Sequence, residues 1–135
     1  NQILLEKKWG VKNIKKYFNF KKIVDRKISE IKKIVFTKYL EGYNIGCFTA
    51  SSKGNTLLNS LNLNNRIISY VSENNIKKIG KYTPGTHIPI VSMSHFHNNL
   101  PEFAYLFAWN HKKEIFDKEK NFVKNGGEWI SHVSI

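Results

Sequence analysis

The run Ser51-Ser52-Lys53-Gly54-Asn55 lies between the apolar stretch Ile45 to Ala50 and the helix-spaced leucines Leu57, Leu58 and Leu61. Where a strand feeds a helix in this way, the first backbone N–H groups of the helix lack intrahelical partners and carry partial positive charge, so the junction suits an anion. Gly54 has no side chain to keep a phosphate away, and Lys53 adds a mobile full charge. Twenty residues after Lys53, Glu73 ends a second apolar segment. A spacing of about 20 residues separates the phosphate turn from the acid that takes ribose hydroxyls in a doubly wound sheet. Trp109 and Asn110 end a third apolar segment and fall at the same sheet edge if the strands are parallel, and His87 sits in a loop that could touch a ligand there. Ser51, Ser52, Lys53, Gly54, Asn55, Glu73, His87, Trp109 and Asn110 are therefore the candidate ligand-binding residues. Each helix-start residue also has a plainer role: Ser52 or Asn110 as a cap, Lys53 solvated, His87 fixing its own turn.

Other chemistries are poorly served. The Gly-x-Gly of a dinucleotide turn is replaced by Cys47 and Thr49, whose Cβ atoms would crowd a pyrophosphate lying on the backbone. His95 and His97 are two apart, so a helix would point them to different sides, and no carboxylate or cysteine completes a metal set. There is no Gly-x-Ser-x-Gly elbow, Walker loop, kinase triplet or Asp/Glu-x-Gly-x-Gly cofactor loop, and no catalytic residue is assigned in this segment.

The elements that must position these residues alternate between strand and helix. Residues 1–20 form a lead-in without a clean period, whose aromatics are expected to pack on the domain; residues 21–135 form the domain itself. Val24, Ile28, Ile31, Val35 and Tyr39 recur at steps of three and four, which predicts an amphipathic helix from Lys21 to Glu41 closed by Gly42. Strands are expected at Ile45–Ala50, Arg66–Ser72, Phe103–Trp109 and Glu128–Ile135, with a short helix over Ser92–Asn98 and another after Asn110, closed by Gly126 and Gly127. Pro89 confines any strand after the Pro84-Gly85 turn to an edge. This alternation, without tandem hairpins, implies an α/β, Rossmann-like layered domain with a mostly parallel sheet flanked by helices.

The 135 residues suit one core, and a formal charge of +12 would attract polyanions. The lysines are spread along the chain, in keeping with heavy use of Lys, Asn and Ile throughout, so nucleic acid is not the expected partner. No apolar stretch nears the ~20 residues needed to span a bilayer, and a lone Cys47 fits a reducing, cytoplasmic setting. The chain starts at Asn1 without an initiator methionine, which points to a segment of something longer.

Ser52-Lys53-Gly54-Asn55-Thr56-Leu57-Leu58-Asn59, Tyr82-Thr83-Pro84-Gly85-Thr86-His87-Ile88-Pro89-Ile90, Ala108-Trp109-Asn110 and Glu114-Ile115 occur here in the order in which they occur in the C-terminal domain of bacterial sugar C-methyltransferases, which the chain strongly resembles from about Lys21 onward. The resemblance implies an enzyme of three parts: a zinc-binding region, an S-adenosylmethionine domain, and this Rossmann-like domain facing a nucleotide-linked deoxysugar. The reaction it implies is methyl transfer to a carbon beside a ketone, with the zinc cysteines, cofactor loop and catalytic base all upstream of Asn1. The chain departs from the family pattern at Cys47 and Thr49, where glycines are usual, at Glu73, where aspartate is usual, at Ile76, and over Ser131 to Ile135. These departures keep open a second class, a structural module that only packs on its upstream partner domain.

Overall fold

The middle of the sheet is the short segment β1 (Ile45–Phe48), buried along its whole length, as a near-continuous apolar run requires when helices cover both faces. The computed structural model describes residues 1–133. Before β1 come α1 (Gln2–Trp9) and the long α2 (Ile14–Leu40). After it follow α3 (Ser52–Leu61), β2 (Tyr70–Glu73), β3 (Ile90–Ser92), α4 (Met93–Asn98) and β4 (Phe103–Leu106). A 3-10 turn (Trp109–His111) leads to α5 (Lys112–Lys118), α6 (Lys120–Lys124) and β5 (Glu128–Ile130).

The strand order is β3-β2-β1-β4-β5, and every pair is parallel. The expected α/β, Rossmann-like layering is thus what forms, with β1 and β4 flanking the point where the order reverses. β3 is an edge strand, as Pro89 demands. Strand alternation splits the core in two. Ile45, Cys47, Val71, Phe103 and Tyr105 face Ile31 and Val35 of α2 and Leu58 and Leu61 of α3, whereas Phe48, Tyr70, Ala104 and Leu106 face Phe96, Ile115 and Phe122.

Several boundaries differ from the sequence expectation. α2 starts at Ile14, seven residues before Lys21, because Asn13 caps it by accepting from the Lys15 N–H at 3.1 Å. The aromatics of the lead-in are not buried on the domain: Trp9, Tyr17, Phe18 and Phe20 are exposed, and Trp9 and Tyr17 meet each other edge-on. The second strand begins only at Tyr70, since Ile67 and Ile68 donate their N–H groups to Asn64 in a turn. The third stops at Leu106, and β5 covers Glu128–Ile130; the last two residues of the strand expected there lie outside the described residues. Gly42 does end α2, at φ +87° with its N–H on Tyr39 O and that of Tyr43 on Lys38 O, the paired bonds of a left-handed helix cap.

Candidate functional site

β1 leaves the sheet through Thr49, a β-branched residue at φ +69°, where glycine would sit without strain. The Thr49 Oγ1 atom is buried and has no hydrogen-bond partner among the described residues. Two residues on, Ser51 is the helix cap: its Oγ accepts from the Gly54 N–H at 3.1 Å. The cap role expected of Ser52 therefore falls to its neighbour, because Ser51 has the extended backbone (φ −105°, ψ 159°) that an N-cap needs, while Ser52 is already helical. Ser51→Ala is expected to cost about 1 kcal/mol of stability in urea unfolding; an unchanged midpoint would mean that the Gly54 N–H finds another acceptor.

Gly54 is buried, and a Cβ there would lie 2.2 Å from the Phe107 ring. Its missing side chain lets α3 settle onto the end of β4, the close-packing role of a glycine at the start of a nucleotide-fold helix. Lys53 turns the other way and places its Nζ 5.9 Å from the centroid of the Trp109 ring, so these two candidates are brought together. His132 stands beside the same indole and beside Tyr105, and burial lowers its pKa. Both the Tyr105 hydroxyl and His132 Nδ1 are buried without a hydrogen-bond partner among the described residues.

On the other side of the α3 start a cleft of ≈ 510 Å³ opens between the helix and the loop that joins β2 to β3. Ser51, Ser52, Asn55 and Thr56 form one wall, and Lys77, Lys78, Lys81, Tyr82, Thr83 and Pro84 form the other. Asn55 Oδ1 is buried there with no hydrogen-bond partner among the described residues. The Pro84-Gly85 turn is tied to α3 by Asn59, whose Nδ2 donates to Pro84 O at 3.1 Å, and Gly85 at φ +78° leaves room for that amide. Three lysine side chains facing a capped helix start make a site suited to a phosphate-bearing ligand.

Glu73 ends β2 as expected, but its carboxylate is committed locally. Oε1 accepts from the N–H groups of Asn74 (2.8 Å) and Asn75 (3.0 Å), and Oε2 accepts from Lys78 Nζ at 2.9 Å. Burial works against its ionisation, yet the Lys78 hydrogen bond and the two backbone donors outweigh it and hold the carboxyl below its ordinary value. Lys78 Nζ also donates to Ala50 O at 2.6 Å, locking the turn after β1 to the loop after β2.

His87 and Asn110 are not in this cleft. His87, exposed at φ +55°, donates its N–H to Thr83 O at 3.0 Å and so fixes its own turn. Asn110 is exposed inside the 3-10 turn and does not cap the next helix, whose start has no side-chain cap bond. The sequence reading missed Lys77, Lys78, Lys81, Thr56 and Tyr82 as cleft residues. Their signal was the cluster of three lysines in Asn74 to Lys81, directly after Glu73.

A smaller hollow of ≈ 300 Å³ on the opposite face holds His97, whose Nε2 lies 2.9 Å from Oε2 of the buried Glu119. Among the described residues no group of three His, Cys, Asp or Glu side chains could hold a metal ion, and no helix is long and apolar enough to cross a membrane. Burial pushes the Cys47 thiol up, so the side chain is an inert part of the core.

Comparison of the sequence with known proteins gives the family. The profile of the C-methyltransferase C-terminal domain family matches residues 2–134. C-methyltransferase NovU of Streptomyces niveus is 32% identical over 125 residues, which is 93% of this chain and 30% of that protein. The chain thus spans 30% of the length of the curated relative it matches. With the match running through every strand and helix described above, the chain belongs to the C-methyltransferase C-terminal domain family.

Proposed function

We propose that the chain is the substrate-holding and scaffolding part of an S-adenosylmethionine-dependent C-methyltransferase that acts on a nucleotide-linked deoxysugar. The observation that carries this reading is the cleft at the α3 start, where Ser51, Ser52 and Asn55 face Lys77, Lys78 and Lys81. A diphosphate would be held by the helix-start dipole and these cations, with Lys53 and Trp109 closing over the part of the ligand that leaves the cleft toward β4. The chain supplies binding and orientation. S-adenosylmethionine, a zinc-cysteine region and the base that removes the carbon-bound proton belong to upstream domains in this reading, and the cytoplasm is the setting in which the Cys47 thiol stays reduced.

Titration with thymidine diphosphate tests the binding claim. Amide signals of Ser52, Lys53, Gly54, Lys77 and Lys81 are expected to move by millimolar ligand, and the shifts to weaken with added salt. Signals that stay in place at that concentration reject binding by this cleft.

A second reading, a packing module without a ligand of its own, has one observation in its favour: Glu73 is bound to Lys78 and to its own turn. It requires that Lys53→Ala leave methyl transfer by the complete enzyme unchanged, whereas the substrate-holding reading requires a raised KM for the sugar nucleotide.

A further inference from the structure

α2 carries one apolar stripe, but only half of it is used. Tyr17, Phe20, Val24, Ile28, Ile31 and Val35 follow one another at steps of three or four and so share a face. Ile31 and Val35 are buried in the core against the sheet and α3, with Ile28 packed beside them. Tyr17, Phe20 and Val24 are 43%, 62% and 36% exposed, and Ile14, Phe18 and Ile23 next to them are exposed too. The first half of a 27-residue helix therefore projects past the domain for roughly 20 Å. α1 folds back on its base, held by Tyr17 Oη on Val11 O at 2.5 Å and by Lys16 over the Trp9 ring.

Three properties of this arm identify what covers it. Because one face of one helix carries both halves of the stripe, the bare half looks toward the same side as the domain body. A flat bilayer laid on it would meet that body, so the occupant is a compact partner seated beside the sheet. Residues 1–27 hold nine Lys and Arg against two Asp and Glu, a net +7 of the +12 total, so a second copy of the arm would bring like charge onto like charge. The relative that matches this chain is more than three times as long as the matched region, which gives a methyltransferase of this family ample further mass on the same polypeptide.

We infer that the overhanging half of α2, with α1, is a docking arm for another folded domain of the same polypeptide. That domain presents an apolar patch to Tyr17, Phe20 and Val24, rimmed by carboxylates that complement the net positive charge of residues 1–27. The inference rests on the chain being part of a longer methyltransferase and not on nucleotide binding at the α3 cleft.

Hydrogen–deuterium exchange on the complete gene product and on the 135-residue chain tests it. Amides of residues 14–27 are expected to exchange at least about tenfold more slowly in the complete gene product, independent of dilution. Phe20→Glu combined with Val24→Glu should restore fast exchange there without changing the unfolding midpoint of the 135-residue chain. Equal exchange in the two samples overturns the proposal. So does protection that appears in the 135-residue chain as its mass doubles on concentration, which assigns the arm to a second copy, or protection that needs vesicles of anionic phosphatidylglycerol, which assigns it to a membrane. Thymidine diphosphate added to the same samples reports on the α3 cleft separately, so the loss of one reading does not mimic the loss of the other.

Discussion

Phe107→Ala is expected to destabilise the domain by about 3–5 kcal/mol, the usual cost of removing a buried aromatic ring from a packed core. Phe107 is 1% exposed and lies where β4 ends, under the first turn of α3. The same ring explains the companion change. Gly54→Ala forces a methyl to within 2.2 Å of a Phe107 ring carbon, and overpacking of that kind costs about 1–3 kcal/mol. The two losses should not add. Once the ring is gone the methyl fits, and alanine is the better helix former by about 1 kcal/mol, so Gly54→Ala in the Phe107→Ala background should be neutral or stabilising. Urea unfolding of the two single variants and the double variant gives the coupling directly. Simple additivity would show that Gly54 is not there to admit the ring.

Lys78→Met removes two hydrogen bonds at once, to Glu73 Oε2 and to Ala50 O. The Lys78 side chain is 44% exposed, so screening by water keeps the expected loss to about 1–2 kcal/mol. The loss should depend on pH. Glu73 has its carboxyl held below its ordinary value, so its ionised form contributes stability that is fully present above that value and disappears as pH falls through the depressed one. Without Lys78, burial opposes ionisation with less compensation, and the contribution disappears at a higher pH. The stability gap between the two proteins should therefore be widest near about pH 7 and narrow toward about pH 3. A gap of equal size at both ends would show that the Lys78–Glu73 pair adds nothing and that the Ala50 bond carries the whole effect. Ligand binding gives a second readout, because Lys78 lines the cleft.

Local patterning made much of the architecture legible. Ile45 to Phe48 and Phe103 to Leu106 are apolar at every position but one, Gly46, and strands of that kind must be covered on both faces, which in turn requires helices between them. The parallel sheet and the edge position of β3 follow from that and from Pro89. The start of α2 was misplaced because residues 1–20 carry apolar and basic side chains that serve a helix without serving a core. A pattern read from burial is silent about an arm that is not buried.

The class of the domain and the strand-to-helix junction at Ser51 to Asn55 were legible in the chain itself, because periodicity is a local property; that the bare side of Gly54 admits the Phe107 ring was not. Which groups surround that junction depended on how distant segments meet in space. Ser51 and not Ser52 caps α3, Glu73 is bound within its own turn and by Lys78, and Asn110 stands apart from the cleft. The physical reason is range. Lys78 reaches Ala50 across 28 positions and Asn59 reaches Pro84 across 25, and such partners are chosen by how the strands and loops come together in space.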